Sequence, residues 1–182
     1  MANVELKERL LTEFKNLHFS HVEYAAIARG FGMAGDPQAK FYWDIALKAS
    51  SDLPQILYRR ELGKFLFSTN AMDLGRGEFK KAVNSLVGNT DSYRWELMWT
   101  YFEWARQEMK KASDGEEAYR YFISALKVIK ELRDEERKKN AQQIIKEQWD
   151  SLFPDKVKFP GEGSLPQTFS QLEVAKPESS AK

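Results

Sequence analysis

Three short stretches share one spacing, a small residue, an aromatic four positions on, and an alanine three beyond that. They read Ala39-x-x-x-Trp43-x-x-Ala46, Gly75-x-x-x-Phe79-x-x-Ala82 and Ala118-x-x-x-Phe122-x-x-Ala125. Offsets of four and three place all members of a triplet on one face of an α-helix. Small side chains let a second helix approach closely, and the aromatic fills the space that remains. The triplets therefore predict three helical pairs, over about residues 20–50, 52–88 and 91–133.

The surrounding sequence agrees. Leu6, Leu10, Phe14 and Leu17 give a first helix over 4–17. Ser20 with Glu23 forms a capping box that starts a second over 21–33. Asp36 and Pro37 open a third, through Ala49, and Asp52 with Pro54 a fourth. The glycines of "DLGRG" predict a turn, followed by a shorter helix over 78–87. "GNTD" stops that helix and caps the next, which begins "SYRWELMWTYFEW". Asp114 and Gly115 break the pattern before "EEAYRYFISALKVIKEL", and "DEERKKNAQQIIKEQWDSLF" is the last helix. No alternating β-branched run is present, so the expected class is all-α. Residues 1–153 form the helical domain, with flanking helices over 3–17 and 134–153. Residues 154–182 hold four of the six prolines and read as a tail.

"GFGMAG", with Gly30, Gly32 and Gly35, matches the letters of a dinucleotide-binding loop. That chemistry needs a strand before the glycines, and "SHVEYAAIAR" is a helix former instead. The glycines are read as a helix end. His18, His21 and Glu23 give half of a metal site with no third partner in sight, and no metal or cofactor is expected. No catalytic constellation of nucleophile, phosphate loop or zinc-protease motif occurs. The absence of cysteine excludes disulfides and thiolate chemistry. Twenty-eight basic against 27 acidic residues argue against nucleic acid as a partner. The charged N-terminal segment and the lack of a long apolar run predict neither a signal peptide nor a membrane span, and a cytoplasmic location.

Together with Leu62-Gly63 ahead of Phe79, the triplets resemble the tetratricopeptide repeat family, over roughly residues 20–133. The resemblance implies a right-handed stack of antiparallel helical hairpins. It also implies that the first helix of each pair lines a concave groove. By register the groove receives Tyr24 from the first pair. The second supplies Arg60, Lys64 and Phe67, and the third Glu103, Gln107 and Lys110. Arg60 and Lys64 occupy positions at which some family members hold a peptide carboxylate. A non-enzymatic module binding a protein or peptide segment is the leading expectation. A helical enzyme with a hidden cleft and a homodimeric regulatory subunit are the alternatives. Trp95, Trp99 and Phe102 are expected to face the core, whereas Tyr101 and Trp104 are the candidates for an exposed contact.

Overall fold

The computed structural model describes residues 19–86, 90–112 and 115–152. The expected first helix and the proline-rich tail lie outside the described residues. Those described form α-helices and one π-helical turn, with no strand among them. The chain divides into two compact units, Met1–Ser51 and Asp52–Lys182.

In the first unit, α1 (His21–Met33) and α2 (Gln38–Lys48) form a hairpin. The capping box is complete: Ser20 Oγ accepts the Glu23 N–H, and Glu23 reaches back to the Ser20 N–H at 2.7 Å. Gly30 and Gly32 lie inside α1, and Gly35 takes φ +68°, where the Asp36 N–H returns to the Phe31 carbonyl at 2.9 Å. This wide closing bond with a left-handed residue is a helix stop. "GFGMAG" is thus the end of one helix and the approach to the next. Asp36 Oδ1 then accepts the Gln38 N–H at 2.9 Å. Ala25 and Ala28 of α1 and Ala39, Trp43 and Ala46 of α2 are all buried.

In the second unit, α3 (Asp52–Ser68) and α4 (Met72–Ser85) form a second hairpin. α5 (Asp91–Gln107) runs into a π-helical turn, Glu108–Ala112. It pairs with α6 (Gly115–Glu131), against which α7 (Glu135–Leu152) packs. α3 also packs on α5, and so does α4. The turn expected at "DLGRG" is not there, because Leu74, Gly75, Arg76 and Gly77 all belong to α4. The two glycines invite a break by propensity, but tertiary contact overrides it. A Cβ on Gly75 would sit 2.6 Å from the Phe67 ring and 3.0 Å from the Gly63 carbonyl oxygen. A Cβ on Gly63 would meet the Phe79 ring at 3.0 Å. The glycines thus let α3 and α4 cross at close range.

All nine triplet positions are buried. Phe122 sits edge-on to Phe102 and Trp149, at centroid distances of 5.8 and 5.6 Å, so its ring joins α5, α6 and α7. Among the described side chains of α7, Ala141, Ile145 and Trp149 are buried, one stripe at spacing four, and the rest are polar except the exposed Ile144. Its start is tied to α5 by Asp91, whose Oδ2 accepts the N–H groups of Arg133 and Asp134 at 3.0 and 3.1 Å.

Candidate functional site

Tyr24 lies on α1 and Lys110 in the π-helical turn, whereas Arg60, Lys64, Phe67, Glu103 and Gln107 fall on α3 and α5, helices that the fold does bring together. Their charges are already engaged. Arg60 Nη1 donates to Glu96 Oε2 across the two helices at 3.0 Å, with side-chain exposures of 14% and 17%. Lys64 is matched to Glu61, one turn earlier on α3, at 3.0 and 3.1 Å, and this pair is more open to solvent. Arg106 Nη1 donates to Glu103 Oε1 at 2.9 Å, and the Arg106 guanidinium lies 5.7 Å from the centre of the Phe102 ring. Glu103 Oε2 is buried without a hydrogen bond. Gln107 is half-buried, and Lys110 is exposed in the π-helical turn.

Two aromatic assignments need correction. Phe67 is fully buried, edge-on to Phe79 at 6.0 Å, and is the ring against which Gly75 closes. It belongs to the core and not to a surface. Trp104, expected to be exposed, is also buried. Its indole lies between Phe79, at 5.6 Å and 11°, and Tyr121, at 3.9 Å and 19°. α5 is covered on more than one side, so its buried positions are Met98, Thr100, Phe102, Trp104 and Ala105. Trp95 and Trp99 are half-buried against the α5–α7 core, and Arg137 of α7 lies 5.8 Å from the centre of the Trp95 ring. Tyr101 is half-buried beside Tyr121 at 6.3 Å, and burial raises its phenol pKa. Tyr24 belongs to the first unit, where it meets Tyr42 at 6.5 Å and Phe19 at 5.6 Å.

A second polar cluster has no counterpart in the sequence reading. Glu108, the first residue of the π-helical turn, is fully buried. Its Oε1 accepts from Arg76 Nε at 2.8 Å and from the Trp104 indole N–H at 2.9 Å. Its Oε2 accepts from Arg76 Nη2 at 2.7 Å. The guanidinium also reaches Asp73 at 3.2 Å. Close by, burial raises the Tyr121 phenol pKa strongly, with the Glu117 and Glu108 carboxylates adding to the effect. The i, i+4 spacing of Trp104 and Glu108 was visible in the sequence, but nothing local pointed to Arg76.

Glu23 is committed to its capping box, and Ser20 holds its carboxyl below the usual range. Among the described residues no group of three His, Cys, Asp or Glu side chains is arranged to hold a metal. No described helix is long and apolar enough to cross a membrane. The chain matches no family model, no curated protein and no solved structure.

Proposed function

We propose that this chain is a non-enzymatic interaction module, built from tetratricopeptide-like hairpins, that receives an acidic or C-terminal segment of a partner protein on the α3–α5 face. The observation that supports it most is the division of labour on these helices. The apolar triplets are consumed in the interior, while the α3–α5 face carries partly exposed side chains of both signs held in fixed pairs. Where such a pair is open to solvent it is weak, so a partner's carboxylate can compete for its cation.

The pairing changes which cations would address a carboxylate. Arg60 is closed by Glu96 at low exposure, and breaking that pair would strand a partly buried charge. Lys64 shares a more open pair within its own helix, and such pairs are weak enough to be redirected. Lys64 and the exposed Lys110 are therefore the proposed contacts, with Glu103 and Gln107 as the proposed contributions of α5.

The test is capture of partners from lysate by the wild type and by Lys64→Glu/Lys110→Glu, with partners identified by mass spectrometry. The double variant should lose the partner and keep the wild-type melting temperature. Equal recovery of the same partner would remove the α3–α5 face from consideration. Arg60→Glu is a poor probe, because it would set a second carboxylate against Glu96 and lower stability by itself.

A further inference from the structure

The Arg76–Glu108–Trp104 cluster sits where the backbone changes winding, and this coincidence is informative. α5 is α-helical through Gln107, and the π-helical stretch begins at Glu108. A π turn bonds i to i+5, has poorer packing than an α turn, and persists only where something outside the backbone favours it. Here the outside agent is α4. Its Phe79 stacks on the face of Trp104, and its Arg76, three residues earlier and so on the same side of the helix, takes the carboxylate that the Trp104 N–H also holds. Tyr121 of α6 closes the other face of the indole at 3.9 Å. The Glu108 carboxylate thus receives three hydrogen bonds, and the groups that supply them are themselves fixed by neighbouring helices.

With its carboxylate buried and the Arg76 side chain 36% exposed, this ion pair is a weak source of stability alone, since burying a charge offsets much of what the pairing gains. What it adds is direction. A bidentate guanidinium–carboxylate pair has one good geometry, and a methylene chain has many. We infer that the Arg76–Glu108–Trp104 cluster is a winding lock: it holds residues 108–112 in the π register, and so decides which side chains of this segment meet the core. Met109 packs against the α5–α7 core, whereas Ala112, three residues on, packs against the Phe67–Phe79–Trp104 cluster. The lock is independent of any partner on the α3–α5 face.

The test uses amide hydrogen exchange on the full chain, comparing wild type with Arg76→Met/Glu108→Gln. The double variant removes both charges and the bidentate fork but keeps an acceptor for the Trp104 N–H, so it should melt cooperatively near the wild-type temperature. Protection should fall about tenfold or more over residues 105–112, with little change in α3 or α7. Unchanged protection over 105–112 would overturn the lock. So would a uniform loss across the second unit, which would make the cluster a source of general stability. If the double variant does not fold, Arg76→Lys keeps the charge and loses the bidentate fork. It should then show the same local loss at smaller size, and unchanged exchange there would refute the inference.

Discussion

Gly75 and Gly77 lie two positions apart on α4 and should respond to alanine in opposite directions. A methyl at 75 would enter the Phe67 ring and press on the Gly63 carbonyl, whereas a methyl at 77 meets nothing within 4 Å. Gly75→Ala should therefore cost about 1–3 kcal/mol through overpacking. Gly77→Ala should stabilise by about 0.5–1 kcal/mol, since glycine is the poorer helix former. Urea melts of the two variants decide this, and a gain at 75 would mean that the crossing is looser than described. Gly75 is also a case of what was legible. Its place in a triplet marked it for close approach, while the neighbouring Gly77 disguised the helix as a turn. Phe67 and Glu108 were not legible in the same way. Register placed Phe67 on the surface because the depth of burial at the α3–α4–α5 junction depends on three helices at once. Nothing in the local sequence singles out Glu108, because its partner Arg76 is remote in sequence.

The helices themselves were the most readable level, because their starts are local chemistry. Ser20 and Glu23, and Thr90 accepting the Tyr93 N–H, are caps written within four residues. The π turn was unreadable, since the spacing that assigned Lys110 beside Glu103 and Gln107 assumes uninterrupted α winding. Asp91 shows an element joined to another by one carboxylate. Burial pushes its pKa up, but the Arg133 and Asp134 N–H groups and the Arg94 guanidinium outweigh it, and the net shift is downward. A carboxyl with a lowered folded pKa stabilises the fold above its unfolded value of about 3.9, and the benefit is lost as pH falls through the folded value. Asp91→Asn should thus melt below wild type at neutral pH. The two should converge as pH drops below about 4. Melting curves across that range provide the check, and a constant difference at all pH values would assign the effect to geometry and not to charge.

At the scale of the whole molecule, the all-α class was legible from the triplets and from the lack of alternating strands, and the described residues agree. The second unit holds two core clusters, one spanning α5 to α7 and one around Phe67, Phe79 and Trp104. A chain beginning at Asp52 is therefore expected to retain helical circular dichroism and a single cooperative melt. A broad, non-cooperative transition would show that residues before 52 are needed to complete those cores. The buried tryptophans offer a way to watch this without labels. Trp43 lies in the first unit under the Arg29 guanidinium, and Trp104 lies in the second, stacked on both faces with a carboxylate on its N–H. An indole bound to a fixed negative charge emits differently from one beneath a cation. With the other indoles replaced by phenylalanine, the two colours would time the opening of each unit in one cuvette.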